Sequence, residues 1–301
     1  MSECIIILNS ARSGSSLLAG MLVKAGVFVS DDLMMPNVFN PNGFFEDNKI
    51  KNYNQKVNNL CRAYDPSWSS SFSLPKGWVD SKEVNCVVYG DLRDYIASVY
   101  AANDLFLIKE PSIIRLMPLY DKIFCELGIT VKYIHLFRHP IEYMHDYKWA
   151  FPEVPEPHIL WNYVKYNLEA EKFTRDKDRI FLTFNQIYIS DKIDVLKQIG
   201  DKFNIELLKF NDNDKLNIAR QNMADFFKSD IRYWREDDVQ FNMTAMPNLF
   251  ISQYAKQAYT VVIQGDNDLL VHTFDNINSK MEYMENKCRM NNLGERTIQI
   301  F

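Results

Sequence analysis

The sequence predicts an α/β fold of three layers, in which helices cover both faces of a central parallel sheet. Short apolar runs rich in β-branched residues alternate with longer segments whose apolar residues recur at helical spacing. Connections between such strands are right-handed crossovers, which make the strands parallel and bury the sheet on both faces. The predicted strands are 4–9, 105–109, 131–137 and 180–184.

The chain before the second strand is predicted to contain two helices and two loops. Helix 15–26 follows the first strand and ends at Gly26, a residue typical of the end of a helix. Clusters of Asp, Asn, Pro, Ser and Gly farther along indicate loops. In order, these later elements are a loop over 31–45, a helix with a polar face over 47–63 and a loop over 65–77.

Each of the remaining strands precedes a predicted helix. These helices are 113–127, one after Pro140, 158–176 and 191–203. After about residue 210 the pattern is weaker, and only 247–264 is predicted as a further helix. We expect residues 1–301 to form a single domain.

The composition excludes several classes of protein. The chain has 301 residues, a formal net charge of −5 and 47% hydrophobic residues, as is typical of a globular protein. The negative charge argues against a nucleic-acid partner, and no run approaches the ~20 apolar residues of a membrane span. The five cysteines contain no Cys-x-x-Cys pair, so we expect neither disulfides nor a metal site, and a cytoplasmic location.

The segment 9–16, between the first strand and the first helix, is a candidate anion site. Its backbone N–H groups lie at a helix N-terminus, and three serine hydroxyls add donors. In the nucleotide-kinase pattern G-x-x-x-x-G-K-[ST] the second glycine corresponds to Gly14, but the lysine is missing and Arg12 supplies the cation. The alternative interpretation is a serine-rich start of an ordinary helix.

Four segments resemble, in order, motifs of the sulfotransferases that use 3′-phosphoadenosine 5′-phosphosulfate (PAPS), particularly the bacterial ones. Residues 11–18 (ARSGSSLL) resemble the phosphosulfate-binding loop, which is P-loop-like. The other three segments are 40–46 (NPNGFFE), 108–111 (IKEP) and 137–142 (FRHPIE), the last resembling the 3′-phosphate motif. The resemblance covers roughly residues 4–200, with a weaker similarity at 231–235, where the family has a basic segment near the nucleotide.

This resemblance implies an enzyme that moves a sulfuryl group from PAPS to a hydroxyl or amine of a small-molecule or saccharide acceptor, without a metal. It implies catalytic roles for Arg12, Glu46 and Lys109. The residues that it implies in PAPS binding are Arg12, Ser13, Gly14, Ser15, Ser16, Arg138, Asp146, Lys228 and Arg232.

Two of these residues carry the proposed transfer chemistry. Glu46 is the candidate general base, since Phe44 and Phe45 beside it would exclude water from its carboxylate. Asp47 takes this place if the register differs by one, and Glu46 could instead only favour the start of a helix. Lys109 would stabilise charge on the transferring group, or else be a salt-bridged lysine at a strand end.

The largest departure from the family is Asp146, at a position where the 3′-phosphate motif has Ser. A carboxylate ~4 Å from a phosphate charge costs about 4 kcal/mol at an effective dielectric of ~20. We expect Asp146 to point away, so that Arg138 and a cation within 228–235 bind the phosphate. Alternatively, Tyr143 or Tyr147 supplies the missing hydroxyl, or selectivity for the 3′-phosphate is lost.

Two other functions stay open at this point. A nucleotide-dependent phosphotransferase is disfavoured because the loop lacks the lysine that reaches the β- and γ-phosphates. A catalytically silent nucleotide-binding protein of the same fold is favoured by Asp146.

Overall fold

The computed structural model describes residues 2–64, 72–226 and 250–290, and a sheet of four strands lies at its centre. The strands are β1 (Glu3–Leu8), β2 (Leu105–Ile108), β3 (Thr130–Phe137) and β4 (Arg179–Thr183). They lie in the order β2-β1-β3-β4, and every neighbouring pair is parallel. The predicted parallel sheet is therefore confirmed, with each strand end within one residue of its prediction.

The side chains of β1 show why the fold has three layers. Successive residues of a strand point to opposite faces of the sheet. Cys4, Ile6 and Leu8 join the apolar core on one face, whereas Ile5 and Ile7 join the core on the other. Because all five are buried, helices must cover both faces.

The two faces carry different helices. One core contains side chains from α2 (Asn48–Tyr64), α5 (Ile113–Glu126), α6 (Pro140–Ala150), α7 (Glu156–Thr174), α12 (Phe250–Gln264) and α13 (Asn267–Met290). The other contains side chains from α1 (Ser15–Lys24), α8 (Phe184–Ile189), α9 (Lys192–Phe203), α10 (Glu206–Lys209) and α11 (Asn213–Phe226). The three-layer α/β/α prediction is thus confirmed. None of the helices described here is both long and apolar enough to cross a membrane.

A helical stretch before β2 was not predicted from the sequence. It begins with the 3₁₀ turn Trp78–Asp80 and continues through residues 82–100. Within it, α3 (Lys82–Val84) and α4 (Gly90–Tyr95) alternate with the π-helical turns Asn85–Tyr89 and Ile96–Tyr100. Wider turns break the 3.6-residue period, so the apolar spacing gives no clear helical signal there.

The carboxyl ends of the strands meet at one edge of the sheet. Ile6 pairs with Ile108 across β1 and β2, and Leu8 pairs with His135 across β1 and β3. Ligands of open parallel sheets bind outside this edge, at the point where the connections diverge. The loops that follow β1, β2 and β3 therefore define the place to look for a functional site.

Candidate active site

The chain between β1 and α1 folds back on itself in a tight loop. The backbone N–H of Ser13 donates to the Ser10 carbonyl at 3.2 Å, and the two buried serine hydroxyls are 2.9 Å apart. Arg12 and Gly14 both have left-handed backbone angles, with φ of +70° and +93°. The loop delivers the first amides of α1 to the end of β1, which is the arrangement of an anion-binding helix N-terminus.

Two independent constraints favour glycine at position 14, and an alanine there is expected to disrupt the loop. Its positive φ is costly for any residue with a Cβ, and an added Cβ would overlap the ring of Phe184. Gly77 is a matched control, because it has a φ of +78° but nothing within 4 Å of an added Cβ. In thermal denaturation Gly77→Ala should cost about 1–2 kcal/mol, and Gly14→Ala about 1–3 kcal/mol more. Equal losses would show that the Phe184 contact imposes no constraint.

Two arginines from different elements converge beside this loop. Arg12 donates from Nε and Nη2 to the two carboxylate oxygens of Asp146, each at 3.0 Å. Arg138, directly after β3, donates from Nη1 to Asp146 Oδ2 and to the Arg12 carbonyl, both at 2.8 Å. Its Nε is 3.3 Å from Glu142 Oε2, and its guanidinium lies 4.5 Å from the ring centre of Phe184.

Asp146 was expected to point away from the 3′-phosphate and leave Arg138 free to bind it, but in the structure its carboxylate pairs with Arg138 and Arg12. The residue is 3% exposed, and its carboxylate accepts hydrogen bonds from both Arg12 and Arg138. The physical reason is that guanidinium groups removed from water need an anion, and α6 carries Asp146 between them. Arg12 also donates to the Phe39 carbonyl at 3.1 Å, which ties the loop before α2 to the same group.

Lys109 and Glu46 form a buried ion pair at the end of β2. Lys109 Nζ lies 2.5 Å from Glu46 Oε1, and the two residues are 3% and 7% exposed. Lys109 also donates to the Phe44 carbonyl at 3.1 Å and to Ser16 Oγ at 3.2 Å. Since Ser16 belongs to the first turn of α1, the lysine joins the candidate base directly to the candidate anion-binding loop.

Asp47, the alternative base, has a different environment. One carboxylate oxygen accepts the backbone N–H of Ile50 at 2.9 Å, at the start of α2. The other accepts the hydroxyls of Tyr95 at 2.6 Å and Tyr100 at 2.8 Å, whose pKa values burial raises. Asp47 therefore holds the helix start, and Glu46 is the acid of this pair that lines the cavity described next.

A cavity of about 580 Å³ joins these groups. Among the residues singled out in the sequence, those that line it are Arg12, Gly14, Ser15, Ser16, Glu46, Lys109, Arg138 and Asp146. Ser13 is buried within the loop, and Tyr143 and Tyr147 are absent from the part of the cavity wall that the structure describes. Lys228 and Arg232 lie outside the described residues.

The structure adds Glu110 and Ser112 to the wall. The sequence gave Glu110 no role beyond its place in the 108–111 segment, and it gave Ser112 none. Glu110 is 6% exposed, and it accepts hydrogen bonds from Asn54 Nδ2 at 2.6 Å and from the Ser112 hydroxyl. Burial raises the pKa of Glu110 above its ordinary value, and the charge of nearby Glu46 adds to the shift. Asn54 comes from α2, 56 residues earlier, so no local sequence signal reveals this contact.

Comparison with protein-family models and with curated proteins gives no match for this chain. Among solved structures, the fold is similar to the sulfotransferase domain from the Synechococcus PCC 7002 olefin synthase. The identity is 19% and the TM-score 0.47, over 91% of this chain and 94% of that chain. An identity and a TM-score this low assign no function, so a function has to be argued from the residues of the cavity.

Proposed function

We propose that this protein is a sulfotransferase that moves a sulfuryl group from PAPS to a hydroxyl or amine of an acceptor. The observation that carries the proposal is the buried pair of Lys109 and Glu46, which contacts the anion-binding loop through Ser16. One cavity thus combines an anion cradle, a cation and a carboxylate at the carboxyl ends of β1 and β2. These are the groups that a transfer from a phosphate leaving group to an acceptor needs.

The donor would be held by the loop and the two arginines. The first amides of α1 and Arg12 are suited to the 5′-phosphosulfate, because helix N-termini and guanidinium groups bind such anions through several hydrogen bonds. Arg138 is suited to the 3′-phosphate, since its position matches the family motif. For either phosphate to bind these arginines, Asp146 has to give up hydrogen bonds that it accepts in this structure.

The transfer step follows from the pair of Lys109 and Glu46. The sulfur–oxygen bond to the phosphate breaks as a bond from sulfur to the acceptor oxygen or nitrogen forms. Lys109 neutralises charge on the transferring and leaving oxygens, while Glu46 accepts the acceptor's proton. The products are adenosine 3′,5′-bisphosphate and the sulfated acceptor. As Lys109 turns toward the donor, its hydrogen bond to Glu46 weakens, and the carboxylate becomes available as a base.

A second function, a catalytically silent nucleotide-binding protein, is favoured by one observation. Asp146 takes hydrogen bonds from both arginines that the donor would need. A protein that binds only a nucleoside without phosphate could keep those bonds. The two functions differ in whether adenosine 3′,5′-bisphosphate binds better than AMP, and in whether sulfate is transferred.

The test is calorimetry with adenosine 3′,5′-bisphosphate, AMP and ATP with Mg²⁺, together with transfer of radioactive sulfate from labelled PAPS. We expect the bisphosphate to bind best and Arg12→Ala to weaken it ten- to a hundredfold, as loss of a charged hydrogen bond of about 1.5–3 kcal/mol predicts. Arg93→Ala is the matched control, because Arg93 pairs with Asp94 and Glu126 on the surface. Equal binding by wild type and Arg12→Ala would remove the loop from the donor site.

A further inference from the structure

We propose that the acceptor carries a negatively charged group, such as a carboxylate, and that Lys51 binds this group. The inference rests on the proposed sulfuryl transfer and adds a property of its acceptor. The observation behind it is that Lys51 lines the cavity as a cation that pairs with no carboxylate of the described residues.

The other cations of the cavity are already engaged with the candidate anion-binding loop. The cationic side chains of the described wall are Arg12, Lys51, Lys109 and Arg138. The two arginines share the carboxylate of Asp146, and Lys109 pairs with Glu46. Arg12 belongs to the loop, and Arg138 and Lys109 donate hydrogen bonds to it at 2.8 and 3.2 Å. These three are therefore the cations that the donor's anionic groups would meet.

Lys51 makes neither kind of contact within the part of the chain that the structure describes. It is half-buried in the first turn of α2, where its backbone N–H donates to the Asp47 carbonyl at 3.0 Å. Its Nζ lies 3.2 Å from Met34 Sδ, a weak acceptor. A thioether does not neutralise an ammonium group, so the charge of Lys51 is left for an anionic ligand.

The contact with Met34 places this ammonium group near the candidate base. The backbone N–H of Met34 donates to the Glu46 carbonyl at 2.8 Å, and an isolated bridge between Leu33 and Asp47 continues the pairing. Met34, Glu46 and Lys51 all line the cavity. Because the acceptor's hydroxyl or amine has to reach Glu46, another group of the same molecule can reach Lys51.

The charge of this second group is expected to be negative. An ammonium attracts an anion and repels a cation, and it does so more strongly where water is partly excluded. The wall also contains Glu110, which pairs with no cation among the described residues and accepts hydrogen bonds from Asn54 and Ser112. Burial raises the pKa of Glu110 and so favours its neutral form, which attracts a cationic group less.

The test is calorimetry with phenols that differ in charge, namely 4-hydroxyphenylacetate, 4-hydroxyphenylacetamide and tyramine, with and without saturating adenosine 3′,5′-bisphosphate. The triplet 4-hydroxybutyrate, 4-hydroxybutyramide and 4-amino-1-butanol repeats the comparison without a ring. In at least one triplet we expect the carboxylate to bind about ten- to a hundredfold more tightly than the amide, the factor for a hydrogen bond to a charged group. The amine should bind most weakly.

Lys51→Met should remove this preference, and Lys51→Glu should reverse it, so that the amine binds more tightly than the carboxylate. Lys49→Met is the matched control, since Lys49 is an exposed lysine of the same helical turn that lies over the ring of Tyr95 and does not line the described cavity wall. Thermal denaturation checks the folding of each variant. Bisphosphate affinity should be the same in Lys51→Met and Lys49→Met.

The inference is overturned if no carboxylate binds more tightly than its amide, or if the preference survives in Lys51→Met. It is also overturned if Lys51→Met weakens the bisphosphate as much as Arg12→Ala does, because Lys51 would then bind the donor. Each of these results leaves the proposed sulfotransferase standing if the bisphosphate binds and sulfate is transferred. A preference for carboxylates that depends on Lys51, without bisphosphate binding or sulfate transfer, would instead sustain the anion site and defeat the proposed function.

Discussion

Replacing Lys109 with methionine is expected to lower sulfuryl transfer by a factor on the order of 10²–10³ and to destabilise the fold by about 3–5 kcal/mol. Methionine keeps an apolar stem of similar length, so it removes the charge with little change in packing. The activity falls because no other lysine in the described cavity wall contacts both the anion-binding loop and the candidate base. Stability falls because the Glu46 carboxylate is left buried without its cation.

Glu46→Gln should keep bisphosphate affinity but lose turnover, by about 10²–10⁴ if Glu46 is the general base. The stability part of the prediction does not depend on knowing the acceptor. In the double variant Lys109→Met/Glu46→Gln the unpaired carboxylate is gone, so most of the lost stability should return while activity stays low. Urea denaturation of the four proteins gives the coupling energy of the pair.

Two results would contradict this assignment. Additive stability losses in the double variant would show that the two side chains do not pair in solution. A fully active Glu46→Gln protein together with an inactive Asp47→Asn protein would move the base by one residue, against the helix-capping geometry of Asp47.

The sheet could be predicted from the sequence because its signals are local. Residues such as Ile5, Ile6 and Ile7 form a β-branched apolar run, which is typical of a strand buried on both faces. The loop after β1 is equally local, since Gly14 and its neighbouring serines lie directly between a strand and a helix. Elements with irregular periodicity were missed, as the π-helical turns within residues 82–100 show.

The contacts within the site could not be predicted in the same way. Arg12 and Asp146 are 134 residues apart, and their pairing depends on how α6 packs against the β1 loop. The sequence indicated that both residues belong near a phosphate, but not that the carboxylate would be held by the arginines. The direction of a side chain in a buried network depends on every charged group in that network. It can therefore be worked out only once the positions of all these groups are known.

The last prediction follows from that network: Asp146→Ser should tighten binding of adenosine 3′,5′-bisphosphate by up to about a thousandfold. A carboxylate ~4 Å from a phosphate charge costs about 4 kcal/mol at an effective dielectric of ~20, and serine donates a hydrogen bond instead. Because Asp146 contacts both Arg12 and Arg138, AMP should also gain, though less than the bisphosphate. Adenosine carries no phosphate, so its affinity should not change.

The free variant should be less stable than the wild type, since Arg12 and Arg138 lose their shared anion, and bound bisphosphate should restore the loss. Glu142→Gln is the matched control, because Glu142 is a second carboxylate of α6 that contacts Arg138 but does not line the described cavity.

Calorimetry of the wild type and the two variants with adenosine 3′,5′-bisphosphate, AMP and adenosine separates the outcomes. Equal bisphosphate affinity in wild type and Asp146→Ser would show that the carboxylate leaves the arginines without cost when a phosphate arrives. Equal wild-type affinity for AMP and the bisphosphate would mean that no 3′-phosphate is recognised, and PAPS would then be the wrong donor.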